Sequence, residues 1–277
     1  MESATLDSPA QSAVQTISLS AQDPNSKSAL TERLTRGQFT WAGPLLLVVG
    51  RTVLIIAAQA VTACWLWLRF RAWSWNAAAK WWTVYGTLVD LGCLALMKAH
   101  TRKEGIRLRD LIGRVRLRWG HDAFLGAGIF ALAFPFFIVA APLVTRLVYG
   151  STRIPSFDGL AAGRVLPLWG VIYTFALWLP IWSPTEEMTY QGYALPRFEV
   201  LFRSRWKAIA LVGFWWAIQH PFLPFVLDWR FFVWRFLMFL PSMIVMTFLY
   251  LKVRRLPPFF LAHWAMDTIA IFMTLKF

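Results

Sequence analysis

Five residues in the C-terminal half of the sequence have the types and spacing to move protons or hold a metal. His263 and Asp267 stand four apart in Leu261–Ala–His–Trp–Ala–Met–Asp267, a spacing that puts both side chains on one face of a helix, one turn apart. His220 ends the run Trp216–Ala–Ile–Gln–His220, four after an aromatic residue. Glu186 and Glu187 open Glu186–Glu187–Met–Thr–Tyr–Gln191; on a helix the second glutamate stacks on Gln191 and the first points about 100° away. Carboxylates and imidazoles can transfer protons, orient water or bind zinc. All five lie in or beside apolar runs, where an ionisable group costs about 2.5–3.5 kcal/mol on insertion scales. Such groups are expected to converge and satisfy one another.

Each also has a structural reading. A lone histidine in an apolar helix is commonly a hydrogen-bonded packing residue, and Asp267 alone can serve as a helix–helix hydrogen-bonding group. The adjacent glutamates, after Ser183–Pro184, can decorate a helix start, where the macrodipole favours acids. Asp90 is a further acid inside an apolar run, and its expected role is structural, as the partner of Arg51 across the first two apolar runs. His100 and His121 flank a basic loop and are expected to face solvent. Each structural reading is reasonable alone, but three helices each carrying such groups make a shared site the stronger expectation.

The elements that must position these residues are membrane helices. Of the 277 residues 58% are hydrophobic and 15% charged, against about a quarter charged in soluble domains. The mean hydropathy is +0.51. Apolar runs of spanning length, roughly 20 residues, fall at about 44–68, 81–97, 123–148, 165–183, 208–222, 231–251 and 257–276. Pro135 and Pro142 lie inside the third, which membrane helices tolerate. A polar segment at about 185–202 is expected to dip into the membrane without fully crossing it. The predicted fold is an all-α polytopic transmembrane bundle of about seven to eight membrane helices. Residues 1–38 are poor in aromatics and read as a disordered cytoplasmic tail. Residues 39–164 read as N-terminal transmembrane helices with a basic loop, and 165–277 as the core that carries the site.

The net charge of +14 does not signal nucleic-acid binding, because the basic residues lie between the apolar runs. Alternating the loops collects Arg102–Arg118, Arg197–Lys207 and Lys252–Arg255 on one side, the cytoplasmic side by the positive-inside rule, together with the N-terminus. Cys64 and Cys93 lie in apolar runs and read as packed core thiols, not a disulfide framework.

At the polar residues the sequence resembles the CPBP family of intramembrane proteases, which includes the type II CAAX prenyl endopeptidases and many bacterial relatives. That family's pattern is Glu-Glu-x-x-x-Arg, then Phe-x-x-x-His, then His-x-x-x-Asn or Asp. Glu186–Gln191, Trp216–His220 and His263–Asp267 match it in order and spacing, over roughly 165–277. Gln191 stands in place of Arg and Trp216 in place of Phe. The first change removes a cation one turn beyond Glu187, which could instead borrow Arg197; the second keeps an aromatic wall.

The resemblance implies hydrolysis of a peptide bond in a membrane-associated peptide or protein substrate. Glu186 would be the general base and His220 would help hold the water. Glu187 belongs to the same catalytic set, and His263 and Asp267 would complete it as hydrogen-bond donors to the developing oxyanion or as metal ligands; Glu186, His220 and His263 are the expected ligands of a zinc ion. Both a metal and a metal-free mechanism stay open at this point. The implied location is multi-pass in a bacterial plasma membrane. Two other classes share these features: a proton-coupled transporter, for which buried acids form relays, and a non-catalytic pseudo-protease partner, which Gln191 favours.

Overall fold

The computed structural model describes residues 23–71, 74–113, 118–153 and 166–274. Among them there are nine helices and no strand. A short α1 (Lys27–Thr35) precedes α2 (Ala42–Phe70), α3 (Trp75–Ala79) and α4 (Trp82–Lys103). After a 3-10 turn at Leu108–Ile112 come α5 (Trp119–Tyr149), a composite α6 over 168–202, α7 (Arg205–Gln219), α8 (Trp229–Val253) and α9 (Pro257–Thr274). By length and composition α2, α5 and α8 are long and apolar enough to cross a membrane. α5 stays helical through both internal prolines, as does α8 through Pro241.

α6 departs most from expectation. A span at 165–183 and a separate polar dip at 185–202 are instead one helix, interrupted by two π segments, Thr174–Trp178 and Met188–Ala194. Trp169 near its start stacks on Trp81 at 5.4 Å, at the end of the bundle holding α3. Arg197 near its other end pairs with Glu104, just past α4. α6 therefore runs the whole bundle, and no half-crossing element is needed for the chain to alternate direction. Pro180, Pro184 and Pro196 each remove a backbone donor, and π turns are one way a helix absorbs such gaps. Pro196 cannot donate to the Gly192 carbonyl, and Asn25 Nδ2 donates to it instead at 2.9 Å.

That contact belongs to a segment expected to be disordered. Residues 1–22 of the expected tail lie outside the described residues, but 23–38 form a docked arm. Ser26 caps α1, accepting from the Ala29 amide, and Leu30 packs with Phe39 and Val200. The arm gains what a polar segment alone lacks: a carbonyl, an ion pair and an apolar patch supplied by α6 and the residue after α4.

Contacts between segment ends also collect the basic loops at one end. Arg255 pairs with Asp122 at 2.5 Å, the Leu256 amide donates to Ile112 at 3.2 Å, and Arg197 and Arg33 meet Glu104. Arg114 and Arg116 lie outside the described residues. Cys93 is buried as expected; Cys64 is exposed, on the outside of α2.

Close helix approach depends on a few small residues, as membrane packing favours. A β-carbon on Gly213 of α7 would meet Ile244 of α8 at 2.9 Å from its side chain and 3.3 Å from its Cα. This contact fixes the helix that carries His220. Gly213→Val should overpack it, costing about 1–3 kcal/mol. A lowered midpoint of thermal unfolding in detergent is expected, and an unchanged midpoint would show that α7 and α8 are not so closely packed.

Candidate active site

The centre of the site is a buried arginine on α2. Arg51 is 0% exposed and its guanidinium is fully engaged. Nε donates to Gln219 Oε1 at 3.0 Å, Nη1 to Asp90 Oδ1 at 3.1 Å and Nη2 to Glu186 Oε2 at 3.2 Å. The same group lies 4.2 Å from the centre of the Trp182 ring, a cation–π contact. The expected Arg51–Asp90 pair is present, but Arg51 also reaches Glu186 of the first motif. Four helices (α2, α4, α6 and α7) meet at one cation.

Glu186 is closed on both sides. Its Oε2 accepts from Arg51, and its Oε1 accepts from the indole Nε1 of Trp216. A phenylalanine at 216 could not make that bond, so the residue read as an aromatic wall is a donor to the motif carboxylate. Tyr190 stacks on Trp216 at 5.4 Å, nearly parallel, and its hydroxyl donates to Gln219 Oε1 at 3.1 Å. The indole is held between a ring and a carboxylate.

Glu187 points elsewhere. Its Oε1 lies 2.9 Å from His263 Nδ1, and its Oε2 has no hydrogen-bond partner among the described residues. His263 Nε2 faces Asp267 Oδ2 at 3.6 Å, beyond hydrogen-bond range but close enough for electrostatic contact. The helical spacing read in the sequence therefore does place His263 and Asp267 side by side.

His220 forms the opposite wall. It sits at the end of α7, with Nδ1 2.8 Å from the Trp216 carbonyl and the ring stacked on Phe239 at 3.7 Å. A carbonyl only accepts, so Nδ1 carries a proton, and in the neutral ring Nε2 is the nitrogen left with a lone pair. The turn after His220 is tied down from three sides. Gln59 brackets Phe225, accepting from its amide at 2.8 Å and donating to its carbonyl at 2.9 Å. Trp75 donates to the same carbonyl at 2.6 Å, and Arg235 donates to the carbonyls of His220 and Leu223.

A chamber of about 240 Å³ lies between these walls. His220, His263, Asp267 and Trp216 line it, with apolar side chains from α5, α8 and α9 making most of the rest. Glu186 and Glu187 are 1% and 0% exposed and do not line it. The five expected residues thus come together in two layers, with two imidazoles and Asp267 at the chamber and the glutamates behind them.

Two expectations about the partners of Glu187 are corrected. Glu187 does not borrow Arg197, whose Nε and Nη2 bind both oxygens of Glu104 at 2.7 and 2.6 Å. Gln191 does not hydrogen-bond to Glu187 either: it is fully buried, and neither amide atom has a partner among the described residues. The π segment that begins at Met188 breaks the simple one-turn stacking assumed between positions 187 and 191. The cation comes instead from Arg51, about 135 residues away in sequence, and serves Glu186. Arg51 carried a visible signal, a charge inside an apolar run, but sequence could not give its reach to α6. His121 is exposed as expected, whereas His100 is half-buried beside Tyr193.

Glu186 is occupied by Arg51 and Trp216, and His263 Nδ1 by Glu187. Among the described residues no three His, Cys, Asp or Glu side chains are arranged to hold a metal ion. The arrangement does not fit the expected Glu186–His220–His263 ligand set.

Residues 164–269 match the family model for type II CAAX prenyl endopeptidase, Rce1-like. The likeness read from three short motifs holds over that segment. It contains all five site residues, while Arg51 and Asp90 lie outside it. No curated protein and no solved structure matches the chain. The likeness to a multi-span peptidase family and the apolar helices together make this an integral membrane protein.

Replacing Arg51 should be among the most damaging single changes. Arg51→Gln strands Asp90 and Glu186 without their cation, and breaking a buried pair in this way costs about 3–5 kcal/mol. The expected readout is a large drop in thermal midpoint or loss of monodisperse protein in detergent. A variant as stable as the parent would show that the network is not a structural centre.

Proposed function

We propose that this protein is an intramembrane endopeptidase that hydrolyses a peptide bond in the chamber between His220 and His263. The observation that carries this reading is the pairing of opposite roles across one cavity. His220 lines the chamber with its Nδ1 turned to the Trp216 carbonyl, leaving Nε2 to act as the base, and His263 sits between Glu187 and Asp267. Similarity of residues 164–269 to a peptidase family supports the same reaction class.

In the proposed mechanism a water held at His220 Nε2 loses a proton to it as its oxygen attacks the scissile carbonyl carbon. The carbonyl π electrons move onto oxygen, where the Nε2–H of His263 donates to the developing negative charge. Glu187 fixes the His263 ring through Nδ1, and Asp267 stabilises its charge. Collapse of the tetrahedral intermediate breaks the C–N bond, and His220 returns its proton to the leaving amine nitrogen. Glu186 is assigned a positioning role in place of the general base: held by Arg51, it orients Trp216, whose carbonyl sets the His220 tautomer. The substrate is a membrane-associated peptide or protein that presents apolar side chains to the chamber. The basic end faces the cytoplasm, with the N-terminus.

The enzyme reading is tested with purified protein in liposomes against a library of membrane-segment peptides, products read by mass spectrometry. His220→Ala and His263→Ala should each lower turnover by about 10²-fold or more, the usual size of a proton-transfer contribution. Unaltered cleavage by both variants, or none by the parent, overturns the reading. Uptake without cleavage would instead favour a transporter.

Zinc gives a separate test. Chelation should leave turnover unchanged, because the reaction above is carried by side chains alone. Turnover lost on chelation and restored by stoichiometric zinc would place a metal in the reaction.

A further inference from the structure

Arg235 is a charged residue in the chamber wall that the mechanism leaves unused. It projects from α8 beside Phe239, with its guanidinium carbon 5.2 Å from the centre of that ring. Nε donates to the His220 carbonyl at 2.9 Å and Nη2 to the Leu223 carbonyl at 3.0 Å. Nη1 makes no hydrogen bond, and no Asp or Glu pairs with Arg235 among the described residues. Arg235 is partly exposed, and the two fully buried arginines behave differently. Arg51 holds two carboxylates and Arg197 takes both oxygens of Glu104.

Two carbonyl dipoles orient the Arg235 guanidinium but do not neutralise it. A full positive charge on the wall of a largely apolar chamber is costly unless an anion completes it. The planar guanidinium is also well shaped to receive a carboxylate. The chamber in front of it is lined mainly by apolar side chains. Its direct link to the His220 carbonyl places such an anion next to the histidine we assign as base.

We propose that Arg235 is a carboxylate anchor, binding the anionic group of an otherwise apolar ligand inside the chamber. The ligand class is a peptide or acyl-amino acid with apolar side chains and one carboxylate near its reactive end. The carboxylate is supplied either by a free C-terminus or by an acidic side chain. This deepens the endopeptidase reading by naming a substrate feature, yet it concerns binding and is measured without turnover.

The test is equilibrium binding of tritiated N-decanoyl-leucine to the purified full chain in detergent, with N-decanoyl-leucinamide as the uncharged comparison. The acid should bind about tenfold or more tightly than the amide, as a charge-assisted contact requires. Arg235→Gln should abolish that preference, and Arg235→Lys should keep part of it. N-decanoyl-aspartic acid α-amide, whose single carboxylate is on the side chain, identifies the source: tighter binding than the leucine acid assigns a side chain, weaker binding a C-terminus. Equal binding of leucine acid and amide by the parent overturns the proposal, as does a preference that survives in Arg235→Gln. Because Arg235 also ties the 220–223 turn, the parent's acid-to-amide ratio decides wherever Arg235→Gln fails to fold. A preference for the acid in a protein that cleaves nothing would keep the anchor and reject the endopeptidase.

Discussion

A guanidinium in a low-dielectric interior must be surrounded by acceptors, and Arg51 meets this demand by drawing four helices to one point. Asp90 balances it from α4, Glu186 from α6 and Gln219 from α7. The cost of leaving any of these groups unpaired in lipid fixes their mutual distances more firmly than apolar contacts could, because lipid tails are as apolar as the side chains themselves. Glu186 then holds Trp216, and Trp216 presents the carbonyl that sets the orientation of His220. The chain of cause runs from one buried charge to the face of one imidazole.

The proposed catalytic layer is separate from this charge centre. Glu186 and Glu187 are neighbours in sequence, but they belong to different networks, one with Arg51 and one with His263. Adjacent residues on a helix point about 100° apart, so adjacency itself divides the roles. The π segment beginning at Met188 follows immediately, within a fully buried stretch that also carries Tyr190 and Gln191. π turns often mark functional sites for this reason: they re-aim side chains without ending the helix.

Much of this was legible in the sequence. Apolar run lengths located the helices, the four-residue spacing of His263 and Asp267 gave their shared face, and the charge of Arg51 beside that of Asp90 gave their pairing. What sequence could not show were distances between elements. It split α6 in two at a polar break, because hydropathy cannot distinguish a helix end from a helix buried among polar partners. It read Trp216 as a passive wall, since the indole N–H matters only once Glu186 is beside it. It treated residues 23–38 as a tail, because their partners, the Gly192 carbonyl and Glu104, lie far along the chain. It sought a substitute cation for Gln191 nearby at Arg197, whereas the cation comes from α2 and serves the other glutamate.

Proton transfer at this site requires His220 to face the chamber with an unprotonated Nε2. Nitrogen-15 NMR of histidine-labelled protein reads this directly, with the His220 signals assigned by their loss in His220→Ala. The account predicts a neutral His220 ring with its proton on Nδ1 and a lone pair on Nε2. A ring protonated on Nε2, alone or together with Nδ1, in the resting protein would contradict it.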